Sequence, residues 1–81
     1  MKVTVKLFAV ARQRIGASAI DVEVSNSATV GQLRRAIADQ FGALKEVVSH
    51  SRIAIANEYA SDDARIPVAA EIAVIPPVSG G

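Results

Sequence analysis

The chain opens with a regular alternation of polar and apolar residues. Between residues 2 and 8 an apolar side chain occupies every second position, starting at Val3, which is typical of a strand with one buried face. Phe8 falls on the polar side of this alternation. We therefore expect Phe8 at the end of the strand or outside the core.

A second alternation covers residues 20–24, where Ile20, Val22 and Val24 are separated by acidic residues. It predicts a second strand, and the two strands are expected to pair as an antiparallel hairpin. The connection between them contains Arg12 and Gly16 and is read as a long loop.

The pattern then changes to a helical one. Thr29 followed by Gln32 three residues later matches a capping box at the start of a helix. Gly42 is predicted to end this helix in a left-handed conformation. The apolar positions of the predicted helix are spaced three and four residues apart and would cover a sheet: Val30, Leu33, Ala36, Ile37 and Phe41.

The second half of the chain has weaker signals. An apolar residue of the segment Ile66-Pro67-Val68 is expected to pack under the preceding loop, and Pro76-Pro77 to end the last strand because neither proline can donate to a sheet ladder. The predicted segments are a helical turn near 44–48, a loop at 49–51, a strand at 52–56, a tight turn at 57–58, a loop at 59–65 and a strand at Ile72–Ile75. The order strand, strand, helix, strand, strand predicts an α+β fold and is compatible with a β-grasp, a mixed sheet curled around one helix.

Composition places the chain among ordinary globular domains. Its 81 residues suffice for one domain, 51% of them are apolar, and the net charge is +1. The absence of cysteine fits a reducing compartment, and no apolar run approaches a membrane span. We expect a cytoplasmic protein that binds neither membranes nor nucleic acid, because its basic residues are scattered and its aromatic residues few.

The familiar catalytic constellations are missing from the sequence. His50 is the only histidine and has no second ligand at metal spacing, and Asp62 and Asp63 are adjacent, so they point in different directions. There is no Gly-rich phosphate loop, and Ser49 and Ser51 have no activating base beyond His50. We expect no metal and no cofactor bound to this chain, and no complete active site of its own.

The carboxyl terminus is the most unusual stretch. Residues 76–81 read PPVSGG, and this tail is predicted to follow a globular domain of residues 1–75. The two prolines stiffen its base, and its six residues reach at most about 20 Å. The terminal glycines have no Cβ, so they can enter a narrow channel. A frayed end remains the default reading for a terminus.

Several of these features together resemble one family, the MoaD-like small subunits of molybdopterin synthase, which are ubiquitin-like sulfur carriers. The resemblance covers essentially the whole chain, although the turn before the last strand lacks the usual glycine and residues 74–75 are not aromatic. The matching features are Leu7-Phe8, Arg12, Gly16, the helix start at Thr29-Val30 with Leu33, residues 53–57, and residues 75–81.

The resemblance implies a function for the tail. An E1-like adenylyltransferase would use ATP and Mg²⁺ to adenylate Gly81, and a sulfur donor protein would convert it to a thiocarboxylate. The large synthase subunit would then transfer the sulfur to cyclic pyranopterin monophosphate to form molybdopterin. The catalytic side chains would lie on these partners. The implied docking arm is Pro76, Pro77, Val78, Ser79 and Gly80, and the candidate partner surface is Phe8, Arg12 and Ile75.

Two other functions stay open at this point. The chain could be a sulfur carrier for thiazole or cysteine biosynthesis, or a ubiquitin-like protein modifier, since these also end in Gly-Gly. It could instead be a β-grasp interaction module with an inert tail.

Overall fold

A computed structural model describes residues 1–77. These residues form five strands, three α-helices and one short 3-10 helix. In chain order these are β1 (Lys2–Leu7), α1 (Ala9–Ile15), β2 (Ala19–Glu23), α2 (Val30–Gln40), the 3-10 helix Gly42–Leu44, α3 (Lys45–His50), β3 (Arg52–Ile55), β4 (Glu58–Ala60) and β5 (Ile72–Ile75).

The strands form a single mixed sheet with the order β2-β1-β5-β3-β4. The central pair, β1 and β5, is parallel, and all other neighbours are antiparallel. The register places Val5 beside Ile72, and Val74 beside Ile53. The α+β class and the β-grasp arrangement predicted from the sequence are confirmed.

One face of the sheet and the apolar stripe of α2 form the core. Leu33 and Ile37 of α2 are completely buried, as are Val5 and Ile72 on the two central strands. Full burial of such a side chain contributes about 1.5–3 kcal/mol. The core therefore fixes which side of every strand points inward. Within residues 1–77, no helix covers the opposite side of the sheet.

The connection after β1 is a helix, so the prediction of a long loop was wrong. Helix α1 has one buried residue, Ala11, and therefore lacks the apolar stripe by which an amphipathic helix is identified. It ends at Gly16, whose φ of 76° is left-handed and whose N–H donates to the carbonyl of Arg12 at 2.8 Å. A glycine accepts this conformation without a Cβ clash.

Helix α2 ends earlier than predicted. Its last residue is Gln40, Phe41 is the C-cap with φ of −131°, and Gly42 begins the 3-10 helix. The prediction that Gly42 is a left-handed cap was wrong. His50 was also misplaced, because it ends α3 and does not lie in a loop. The chain stays helical here since Leu44 and Val48 insert into the core.

Strand β4 is the other missed element. Ala56 and Asn57 have φ of 51° and 69°, as in the two-residue turns that close β-hairpins. The turn is thus one residue earlier than predicted, and Glu58–Ala60 pairs with β3 where a loop was expected. Ile66 is the apolar residue of segment 66–68 that is buried, whereas Val68 is 81% exposed.

The start of α2 has the capping box predicted from the sequence. The hydroxyl of Thr29 accepts from the N–H of Gln32 at 3.2 Å, and the side chain of Gln32 accepts from the N–H of Thr29 at 2.9 Å. Replacing Thr29 with alanine removes one of these bonds. We expect Thr29→Ala to lower the free energy of unfolding by about 1 kcal/mol, measured by urea denaturation. Ser27→Ala is the control, and an equal loss in both variants would contradict this role of the cap.

Arg34 ties three segments together. Its Nε donates to the carboxylate of Asp62 at 2.9 Å, and one terminal nitrogen donates to the carbonyls of Val48 and Ser51, each at 2.6 Å. Those carbonyls lie at the end of α3, where the helix leaves acceptors unsatisfied and favours a positive charge. The guanidinium thus anchors the short α3 to α2 and to the loop before residue 64.

Arg34→Met keeps the aliphatic stem and removes all three hydrogen bonds. We expect the free energy of unfolding to fall by about 1–3 kcal/mol, with a lower melting temperature in a thermal scan. The neighbouring Arg35→Met is the matched control, because Arg35 is exposed and surface substitutions usually change stability by about 0.5 kcal/mol or less. Equal shifts in the two variants would contradict the anchoring role.

Candidate functional site: the open face of the sheet and the base of the tail

The uncovered side of the sheet holds a shallow depression between its central and outer strands. The register places Ala54 beside Ala73 on one side and beside Tyr59 on the other. The two small side chains leave room between larger ones, and the resulting depression has a volume of about 380 Å³. We call it the open-face depression; it is lined by Lys6, Phe8, Ala54, Asn57, Tyr59, Glu71, Ala73 and Ile75.

Aromatic side chains border this depression. Phe8 follows β1 as the N-cap of α1 and is 46% exposed, and Tyr59 is 62% exposed on β4. Large exposed apolar side chains that cluster around a concave surface are typical of protein interfaces. The predicted residues Phe8 and Ile75 are thus brought together by the fold.

Charged groups mark the rim. Lys6 Nζ lies 2.9 Å from the carboxylate of Glu71, and both side chains are more than half exposed; such pairs add about 0–1 kcal/mol to stability. The guanidinium carbon of Arg52 lies 4.7 Å from the ring centroid of Tyr59, a cation–π contact of about 0.5–1 kcal/mol. This contact holds the Tyr59 ring beside Arg52 at the edge of the depression.

The tail leaves the domain at the end of β5. Pro76 is buried and Pro77 is exposed, so the exposed part of the arm begins at Pro77. A second, smaller cleft of about 200 Å³ lies beside the two prolines, between α1 and α3. Its other lining residues are Val10, Arg14, Glu46, Val47 and His50. The remaining predicted tail residues, Val78, Ser79, Gly80 and Gly81, lie outside the described residues.

Arg12, the third residue of the predicted partner surface, does not line the open-face depression. It is exposed on α1, and no ion pair involves it within residues 1–77. The fold therefore places Phe8 and Ile75 on one surface and Arg12 on a neighbouring helix.

The described part of the chain offers no alternative centre for metal chemistry. Among residues 1–77 no group of three His, Cys, Asp or Glu side chains could hold a metal ion. Asp62 forms an ion pair with Arg34.

No helix within residues 1–77 has the length and apolar character needed to cross a bilayer.

Comparison with known protein families identifies the chain. The model of the ThiS family matches residues 5–81, which include the whole tail. The chain belongs to the ThiS family.

Named relatives of this ThiS-family chain match it over its full length. The molybdopterin synthase sulfur carrier subunit of Arabidopsis thaliana is 32% identical, with all of this chain and 84% of the relative aligned. The subunit of the same name from Caenorhabditis briggsae is 35% identical over all of this chain and 99% of its own. The crystal structure of SAMP1 from Haloferax volcanii superposes with a TM-score of 0.86 and 29% identity, covering both chains completely.

Sequence reasoning missed several residues of the site in this ThiS-family chain. The sequence predicts a loop at Tyr59, and no local pattern marks Ala54 or Ala73 as part of a site. The alternation of strand 52–56 was the available signal, since it placed small alanines opposite Ile53 and Ile55. The sequence alone does not show that β3 pairs with both β4 and β5. This pairing brings Tyr59, Ala54 and Ala73 together on one surface.

Proposed function

We propose that this chain is the sulfur carrier subunit of a molybdopterin synthase, and that the reactive group is the terminal carboxylate of Gly81. The observation that carries the proposal is the full-length match to two sulfur carrier subunits of that enzyme at 32% and 35% identity. The tail supports the proposal, because the last strand is followed directly by two prolines and a short segment that ends in Gly-Gly.

The chemistry must begin with activation. A terminal carboxylate is ionised at neutral pH and resists attack by a nucleophile. An E1-like adenylyltransferase, using ATP and Mg²⁺, joins the Gly81 carboxylate to AMP and releases pyrophosphate. A sulfur donor protein then supplies sulfur at the oxidation level of sulfide, which attacks the acyl carbon and displaces AMP, so that Gly81 ends in a thiocarboxylate.

Sulfur transfer takes place on the large subunit of the synthase. The tail places the thiocarboxylate beside cyclic pyranopterin monophosphate, and its sulfur forms a bond to an oxygen-bearing carbon of the substrate while the carbon–oxygen bond there breaks and the protonated oxygen leaves. Water then cleaves the bond between this sulfur and the Gly81 carbonyl carbon, which restores the carboxylate. Each carrier molecule delivers one sulfur in this scheme, and the side chains that move protons belong to the partner.

An apolar surface at the base of the tail supports a docking role in this reaction. Phe8, Tyr59 and Ile75 form an apolar surface directly beside its base, and we propose that the large subunit and the activating enzyme dock there. Pro77 is exposed where the arm leaves the domain, and its fixed φ restricts the directions the arm can take. When a partner is bound to the open face of the sheet, the restricted direction of the arm limits the positions that Gly81 can reach.

A reconstituted reaction tests the function. Purified carrier bearing a Gly81 thiocarboxylate is mixed with the large subunit and cyclic pyranopterin monophosphate, and molybdopterin is measured. We expect molybdopterin to form in proportion to the carrier added. Failure with a large subunit that is active with its own carrier would overturn the assignment.

Protein modification is the second candidate, favoured by the likeness to SAMP1, a small archaeal modifier protein. An adenylated Gly81 would then be attacked by a lysine amine of another protein. Covalent adducts that require Gly81 and resist thiols would support protein modification. If no adducts form while the thiocarboxylate forms efficiently, protein modification is not the main function.

A further inference from the structure

The backbone at the start of α1 departs from ordinary helix geometry. Ala9 is the first residue of α1, directly after the N-cap Phe8, and its φ is 52°. The first residue of an α-helix normally has a helical φ near −63°. A left-handed conformation brings the Cβ of an L-residue too close to the following carbonyl oxygen. Such a residue persists only where the structure around it enforces the conformation.

Turns account for the other positive φ values of non-glycine residues in the described chain. Ala56 and Asn57 form the two-residue turn between β3 and β4, where positive φ is common. Ala69 has φ of 62° and is the third residue of the hydrogen-bonded turn 67–70, the position at which type II turns need a positive φ. Within residues 1–77, Ala9 is thus the one non-glycine residue that has this conformation at the start of a helix.

Both sides of Ala9 are fixed by the core. On one side Leu7 is buried, and its N–H donates to the carbonyl of Ser18 at 2.8 Å. On the other side Ala11 is completely buried, and its N–H donates to the carbonyl of Phe8 at 3.2 Å. The chain passes from the sheet into α1 between these two anchors. Because the anchors are held independently, they enforce the left-handed conformation between them.

The turn at Ala9 sends two apolar side chains to different surfaces. Phe8 is still extended, with φ of −126° and ψ of 157°, so it shares a face with Lys6, and both line the open-face depression. Val10 instead lines the cleft between α1 and α3. An extended residue at position 9 would place Val10 on the face of Phe8, because side chains alternate along a strand. Ala9 therefore sets which side chain reaches the open face.

We propose that Ala9 is a positioning residue, which holds the ring of Phe8 on the open face in the orientation that the large subunit binds. This inference rests on the proposed docking of the large subunit at that face. The described lining of the depression does not include Ala9, so Ala9 acts through Phe8. Alanine leaves this segment fewer conformations than glycine would. Ordering a side chain on binding costs free energy, and a ring that is held in place beforehand avoids that cost.

Ala9→Gly separates positioning from a purely structural role. Glycine adopts a positive φ without the Cβ clash, and Ala9 is exposed, so the substitution opens no cavity. We expect the melting temperature to rise by about 2–6 °C. Affinity for the large subunit should change in the opposite direction, with Kd higher by about 2- to 10-fold, measured by calorimetry. With a purely structural role, Kd would stay unchanged.

Two further proteins serve as controls. Ala69→Gly also changes an exposed alanine with a positive φ, and Ala69 does not line the depression. It should raise the melting temperature in the same way and leave Kd unchanged. D-Alanine at position 9, introduced by chemical synthesis of the chain, favours a positive φ and keeps a Cβ. It should raise the melting temperature as glycine does and retain the original Kd.

Phe8→Ala distinguishes failure of the positioning role from failure of docking. In the Phe8→Ala background, Ala9→Gly should not change Kd further, because the ring through which Ala9 acts is gone. If Phe8→Ala weakens binding while Ala9→Gly weakens it no more than Ala69→Gly, the positioning role is wrong and the docking surface stands. If the original chain does not bind the large subunit, or Phe8→Ala leaves Kd unchanged, the proposed docking is wrong and the role of Ala9 falls with it.

Discussion

Deleting Gly80 and Gly81 is expected to abolish molybdopterin formation in the reconstituted system, because the carboxyl that carries sulfur would no longer reach the partner's active site. The fold should be unaffected, because the deletion changes none of the core residues that the structure describes. The free energy of unfolding should stay within about 0.5 kcal/mol of the original. Activity is measured as molybdopterin formed, and stability by thermal denaturation.

Adding one residue after Gly81 should be equally damaging, because the reactive carboxyl is displaced and the new terminus carries a Cβ. Ser79→Ala keeps the length of the tail and is the matched control, for which we expect activity close to the original. Molybdopterin formation by the deletion variant would contradict the role of Gly81. If the deletion lowered both activity and stability, the expectation that the fold does not depend on the two glycines would be wrong.

Polar substitutions in the open-face depression are expected to break the partner complexes. Phe8→Asp removes an exposed ring that we place at the centre of docking, and truncation of such anchors typically costs about 2 kcal/mol or more of binding free energy, which raises Kd about 30-fold. Aspartate is also a favoured helix N-cap, so α1 should keep its stability. Binding to the large subunit is measured by calorimetry.

A second position and a control complete this experiment. Ile75→Thr keeps a β-branched residue on β5 and should weaken binding in the same direction. Val68→Asp is the matched control, since Val68 is apolar and 81% exposed but does not line the depression. Equal affinities of Phe8→Asp, Val68→Asp and the original chain would show that docking takes place elsewhere.

The parts of the fold that the sequence predicts are those with a repeated local signal. The alternation that begins at Val3 identifies β1, and Thr29 with Gln32 marks the start of α2. Helix α1 gives no such signal, because Ala11 is its single buried residue. Strand β4 has three residues, too few to show a period, and it is ordered by pairing with β3.

The candidate site was predictable only in part, for the same reason. Phe8 stands out because it breaks an alternation, and the tail stands out by composition. Tyr59 joins Phe8 only through the register of β1, β5, β3 and β4, in which neighbours on the sheet are far apart in sequence. The burial of Pro76, next to the cleft between α1 and α3, likewise depends on helices that local patterns do not position.

The central claim is that sulfur is carried on Gly81, and an intact-mass spectrum tests it most directly. The chain is produced together with its activating enzyme and a sulfur donor under sulfur-replete conditions, and the carboxyl-terminal fragment is then sequenced by tandem mass spectrometry. We predict a mass increase equal to the replacement of one oxygen by sulfur, confined to Gly81. An unchanged mass, under conditions in which a known carrier is converted by its own enzyme, would contradict the account.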